Sequence, residues 1–194
     1  MTRAFMLLTA AFITATLVGC SAVLADPPAS SGPGLPTSSP TASADVTESL
    51  APFICAMPIS GAATTPRAQI SDIRVGEHAG FDRIVFEFAA GTPQYTIERA
   101  QPPLERDPSG LPATVGGGSF LRIVLHGGTV QLPNGGTSYA GPTSYSPGFT
   151  RLKDLQSAGD FEAVGSWYVG MSGDACVRAF TLTAPSRLVI DLQH

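Results

Sequence analysis

The sequence predicts an all-β fold, a compact β-sandwich or split barrel of about seven to nine short strands. Two observations predict it. From Gln69 onward the apolar residues recur with a period of two rather than 3.6, and clusters of Gly and Pro interrupt the runs at short intervals.

The strands follow in order. Ile70–Val75 opens the series. In Asp82–Phe88, Ile84, Phe86 and Phe88 share one face, with Arg83 and Glu87 opposite. That is the pattern of a half-buried strand. Gln94–Ala100 is next, then a run in which Leu121, Ile123 and Leu125 alternate with Arg122 and His126. Val164–Val169 and Cys176–Leu182 precede a last strand, where Leu188, Ile190 and Leu192 alternate with Asp191. The breaks fall at Gly76–Gly80, Gly91–Pro93, Gly127-Gly128 and Ala184–Ser186. Gly supplies φ > 0 and Pro removes a ladder donor, so these positions end strands. Residues 150–163 fit neither period: Leu152 and Leu155 have helical spacing, but Gly159 cuts the run short. Two stretches, 101–118 and 133–148, read as long loops rich in Gly and Pro, which on a rigid sheet are frequent places for function.

The N-terminal part reads differently. Arg3 is followed by an apolar run from Ala4 to Leu17, the layout of a secretory signal and shorter than the roughly 20 residues that cross a bilayer. Leu17-Val18-Gly19-Cys20 resembles a lipobox, the processing motif of bacterial lipoproteins. Residues 1–19 are then the signal peptide and Cys20 carries the lipid. A diacylglyceryl group supplies two chains, and two chains hold a protein on a membrane where one binds only marginally. Palmitate-type acylation at Cys20 places the protein at the cell membrane, lipid-anchored on its extracytoplasmic face. Residues 20–52, dominated by Pro, Ser, Thr and Gly, bury too little to fold and read as a disordered tether. A chain of that length spans about 30 Å when flexible and about 100 Å as polyproline II. The folded part is expected over residues 53–194.

Charge excludes some partners. With Lys+Arg 11 against Asp+Glu 15, the formal net charge is −4, and no basic footprint for nucleic acid is present. No polybasic patch is present either, which leaves membrane attachment to the lipid. Lys153 is the single lysine among the basic residues, a bias that points to a GC-rich, actinobacterial source. Of the 3 cysteines, assigning Cys20 to lipid leaves Cys55 and Cys176. An even pair outside the cytosol reads as a disulfide.

Two blocks carry a family likeness. The first is Ile73-Arg74-Val75-Gly76 with Gly80-Phe81-Asp82-Arg83-Ile84-Val85-Phe86-Glu87-Phe88. The second joins Gly159–Glu162, Gly165–Gly170 and Ser186-Arg187-Leu188-Val189-Ile190-Asp191-Leu192. Together they resemble the AMIN-like domain of actinobacterial lipoproteins over residues 68–194. The resemblance implies a compact β domain related to AMIN domains. Those are non-catalytic modules that attach envelope machines, such as cell-wall amidases and pilus secretins, to peptidoglycan or to partner proteins.

Chemistry-bearing residues are sparse. His78, His126 and His194 lie far apart, with no His-x-x-x-His or His-Glu-x-x-His spacing, so no metal is expected. Gly118-Ser119-Phe120 and Gly165-Ser166-Trp167 are not nucleophile elbows, and Gly116-Gly117-Gly118 lacks the Lys of a phosphate loop. Neither a cofactor nor enzymatic activity is expected. Asp160 and Glu162 are the acid pair that a wall-hydrolase reading would need. Trp167 and Tyr168 alternate across a strand, so one ring faces the core and the other points outward. With Tyr139 and Tyr145 in the second loop, they are the candidate binding aromatics. Arg83 and Asp191 are candidates for a cross-strand ion pair. The expected function is non-enzymatic binding of a cell-wall polymer or an envelope protein. The alternatives are a cell-wall hydrolase and a carrier of a small apolar ligand, which requires a deep apolar cavity.

Overall fold

The computed structural model describes residues 51–194. Cys20, the signal peptide and all but the end of the expected tether lie outside the described residues. The described residues form one compact unit, and the core described below closes within it.

The strands are β1 (Ile59–Gly61), β2 (Ala68–His78), β3 (Phe81–Phe88), β4 (Gln94–Ala100), β5 (Ser119–His126), β6 (Gly128–Thr129), β7 (Ser144–Tyr145), β8 (Leu152–Phe161), β9 (Val164–Met171), β10 (Val177–Thr183) and β11 (Ser186–Gln193). They form a six-stranded sheet, β1-β4-β5-β9-β8-β7, and a five-stranded sheet, β10-β11-β3-β2-β6. Every pairing is antiparallel except β2 with β6. The fold is the all-β sandwich that the sequence predicts. Its count exceeds the expected range because β1, β6 and β7 are only two or three residues long, too short to show a period.

The core is the shared interior of the two sheets. Ile84 and Phe86 of β3 and Leu188, Ile190 and Leu192 of β11 face Leu121, Ile123 and Leu125 of β5 and Trp167 and Val169 of β9, all buried. Phe86 meets Trp167 edge-on, with centroids 5.6 Å apart. Such a pair adds about 0.5–1.5 kcal/mol beyond the area it buries.

Residues 150–163 resolve in favour of a strand. β8 carries irregularities between Leu152 and Asp154 and between Ser157 and Gly159. A bulge inserts one extra residue, so Leu152 and Leu155, three apart, both reach the core. The helix-like spacing is thus a bulged strand. β2 uses the same device between Ile70 and Asp72, which turns both Ile70 and Ile73 inward.

One polar contact fastens the sheets. Asp82, fully buried at the start of β3, accepts the backbone N–H groups of Arg151 (2.6 Å) and Leu152 (2.7 Å) at the start of β8. The lead-in to the domain is fastened at the β10 edge of the five-stranded sheet. Ile54 exchanges two backbone hydrogen bonds with Val177, each 2.8 Å, and Cys55 is disulfide-bonded to Cys176.

Candidate binding groove

The loop at 101–118 is the element that shapes the surface. It is not a free excursion but a folded-over hairpin, closed by a bridge between Glu105 and Pro112 and lying on the outer face of the six-stranded sheet. Two glycines permit that approach. A Cβ on Gly170 of β9 would stand 1.8 Å from the Gly116 carbonyl oxygen, and one on Gly159 of β8 would stand 2.1 Å from that of Asp107. Hydrogen bonds then hold the loop: Asp107 N–H to the Ala158 carbonyl (2.7 Å), Gly116 N–H to Asp154 (2.9 Å) and Gly118 N–H to the Met171 carbonyl (2.7 Å). Under it lies a second small core of Leu104, Ala158 and Tyr168.

The loop roofs only part of the sheet. Where it stops, at Asp107 and Pro108, a groove of about 290 Å³ opens along β5 and the β8–β9 hairpin. Its apolar lining comes from Val124, Val164 and Phe161, and its polar lining from Arg122, Asp107 and Ser166. On the other side of Asp107 is a more polar depression of about 320 Å³, with Arg106, Ser109, Gln156 and Ser157 among its walls. Phe161 is 50% exposed, which is unusual in a domain whose other large rings are mostly covered. It directly precedes a turn in which Glu162 and Ala163 take φ of 50° and 61°. Two successive residues in that region make the tight hairpin turn that normally takes Asn-Gly, at about 1–2 kcal/mol per ordinary residue. Backbone strain of this kind concentrates at functional sites. Arg122 donates to Asp107 across the groove (2.6 Å), and its Nε is buried without a partner. The groove therefore offers an aromatic face, an apolar floor, a guanidinium and a carboxylate.

The aromatic residues singled out in the sequence lie elsewhere, and none offers a free ring face. Trp167 faces the core, as one of the alternating pair must. Tyr168 does point outward, but the loop at 101–118 covers it, and its hydroxyl bonds the Glu105 carbonyl (3.0 Å) and N–H (3.3 Å). Tyr139 is buried and donates to the Pro142 carbonyl (3.0 Å), while Tyr145 donates to the Ile73 carbonyl (3.1 Å) and touches the Tyr139 hydroxyl. Burial, reinforced by the bond to Tyr145, pushes the Tyr139 phenol well above its usual range. The hydroxyls of these three tyrosines hold loops in place. Phe161 is the residue that sequence reasoning missed. Its only signal was an apolar residue placed just before a turn.

Other candidates are also placed. Asp160 gives its carboxylate to the Thr129 hydroxyl (2.8 Å) and the Val130 N–H (2.7 Å), a structural use that competes with acid–base work. A cavity of about 190 Å³ between the sheets touches Trp167, Tyr139 and Ile70. Ligand pockets are typically about 300–1,000 Å³, so this one is small for an apolar cargo. Arg83 and Asp191 do meet, with Nε to Oδ1 at 2.7 Å.

No curated protein and no solved structure matches the chain significantly. The AMIN-like domain family matches residues 68–194, which contain β2 to β11 and the whole groove. The chain belongs to the AMIN-like domain family.

Proposed function

We propose that this protein is a membrane-anchored envelope lipoprotein whose β domain binds a cell-wall polymer through the groove beside the loop at 101–118. The observation that carries the reading is the exposed Phe161 ring set against Arg122 and Asp107 on one concave face. Sugar rings stack their C–H faces on an aromatic plane, and their hydroxyls take donors and acceptors of both kinds. A wall peptide would find the same guanidinium and carboxylate. The family membership supports a binding module, and the Leu17–Cys20 motif supports the anchor. An envelope protein is the competing partner for the same groove.

Binding is tested by sedimenting the domain with purified cell wall, with envelope extract as a second arm. Retention on wall is expected, and Phe161→Ala should weaken it about tenfold, about 1.4 kcal/mol, the loss typical of an exposed aromatic anchor. Retention only by extract would move the proposal to a protein partner. Unchanged retention of the Phe161 variant would remove the groove from it.

Anchoring is tested separately in cells. With an ordinary cleavable signal peptide in place of residues 1–19, Cys20→Ala should shift the protein from the membrane fraction to the soluble extracytoplasmic fraction, because the mature chain would then lack both acyl chains. A variant that stays with the membrane would show that another part of the chain holds it there.

A further inference from the structure

Asp82 has an oxygen without a hydrogen-bond partner. Its Oδ2 is used by the two N–H groups of β8, but Oδ1, on a fully buried side chain, has none. A bare buried carboxylate oxygen is costly, so something of opposite charge should face it. The structure places one imidazole there and a second carboxylate nearby. The Nε2 of His194 stands 3.3 Å from Oδ1, and one donor atom from each of Glu77, Asp82 and His194 lies within 4.8 Å of the others.

Three separate segments meet here. Glu77 is near the end of β2, Asp82 near the start of β3, and His194 follows β11. The backbone fixes them. His194 N–H donates to the Gly80 carbonyl (3.1 Å) in the β2–β3 turn, and Glu77 Oε1 accepts the Thr150 N–H and hydroxyl, each 2.8 Å. Both of those bonds use the same oxygen, which leaves Oε2 for a ligand. Glu77 is exposed and Asp82 buried, so the cluster opens to solvent on the Glu77 side.

We infer that Glu77, Asp82 and His194 form a site for a divalent transition-metal cation of the Zn²⁺ or Mn²⁺ kind, with water completing the coordination. Metal–ligand distances of about 2.0–2.2 Å at a tetrahedral centre put neighbouring donors about 3.3–3.5 Å apart. The Asp82–His194 pair already has that separation, at 3.3 Å. The Glu77 carboxylate, within 4.8 Å of the other two donors, would close the third side with a shift of about 1.5 Å at most. Two carboxylates and a neutral imidazole give a net charge of −2, matched to a divalent ion; the imidazole favours Zn²⁺ over Ca²⁺, and Mn²⁺ would be held mainly by the carboxylates. The nearby cations are turned to other partners: Arg151 Nε donates to the Gln193 carbonyl (3.1 Å), and the Lys153 ammonium donates to the Phe149 carbonyl. The competing arrangement is a plain ion pair, with protonated His194 alone facing Asp82.

The test is titration of residues 47–194 with ZnCl₂, MnCl₂ and CaCl₂ by calorimetry, with the histidine proton signals followed by NMR. Expected results are one Zn²⁺ per chain, weaker Ca²⁺, and selective broadening of the His194 ring signals by Mn²⁺. His194→Ala and Glu77→Gln should each weaken Zn²⁺ by tenfold or more while the domain stays folded. Two results would overturn the site: no saturable Zn²⁺ binding by the unaltered domain, or equal binding by the His194 variant. The ion-pair arrangement is recognised by a His194→Ala variant that loses stability without any metal while the unaltered domain gains none from Zn²⁺.

Discussion

Asp191→Ala is expected to destabilise the domain by about 3–5 kcal/mol, the cost of breaking a buried ion pair from one side. Asp191 is fully buried on β11, directly opposite Arg83 of β3 and Arg178 of β10 in the sheet register. Arg83 reaches it at 2.7 and 3.0 Å, and Arg178 Nε at 2.9 Å. Aromatic rings keep water away. Arg178 lies 4.5 Å over Phe53 and 5.2 Å over Phe81, and Arg83 lies 5.0 Å over Phe81. Without the carboxylate, two guanidiniums face each other across an empty position with no anion between them. Urea unfolding at neutral pH measures the loss. Arg83→Met should cost less, about 1 kcal/mol, because Arg83 is 26% exposed and Arg178 keeps Asp191 paired. The triple replacement Arg83→Met, Arg178→Met and Asp191→Leu should recover most of the loss, since a whole buried ionic group can be exchanged for apolar packing at little cost. An Asp191→Ala loss below about 1 kcal/mol would mean that solvent reaches the triad and screens it.

Two members of this triad were legible in the sequence. Arg83 and Asp191 stand out because each is a charge on the opposite face of a strand with a clean apolar alternation. Arg178 does not, because its part depends on the register of β10 against β11, a relation between strands rather than within one. The same division runs through the fold. Strands with an unbroken period of two, such as β3, β5 and β11, declare themselves. β8 does not, because two irregularities shift the phase midway. The surroundings of the candidate aromatics were hidden for a related reason. Alternation correctly sends Tyr168 outward, but only the tertiary structure reveals that the loop at 101–118 lies on top of it. Glu77, Asp82 and His194 share no motif because they come together only when the β2–β3 turn meets the end of β11.

Removing the Cys55–Cys176 disulfide should cost the domain about 2–4 kcal/mol, with about 4.7 kcal/mol as the ceiling that loop entropy sets for a closed loop near 100 residues. The bond joins residues 121 apart in sequence. Its entropic share acts on the unfolded chain, but the structure adds a native share. Cys55 and the Ile54–Val177 bridge hold Phe53 against the Arg178 guanidinium. Cutting the bond frees that lead-in to detach, which uncovers one side of the Asp191 triad. The two shares separate in a double-mutant cycle. Cys55→Ser with Cys176→Ser, compared with the oxidised domain by urea unfolding, gives the total. Phe53→Ala in the oxidised domain should cost about 1–2 kcal/mol, the range for a desolvated cation–π contact and its packing. In the domain lacking both cysteines the same change should cost much less, because Phe53 is then docked only part of the time. Equal Phe53 penalties in the two backgrounds would show that the lead-in stays seated without its covalent tie. The disulfide would then act on the unfolded chain alone, and the triad would owe its shelter to the Ile54–Val177 bridge.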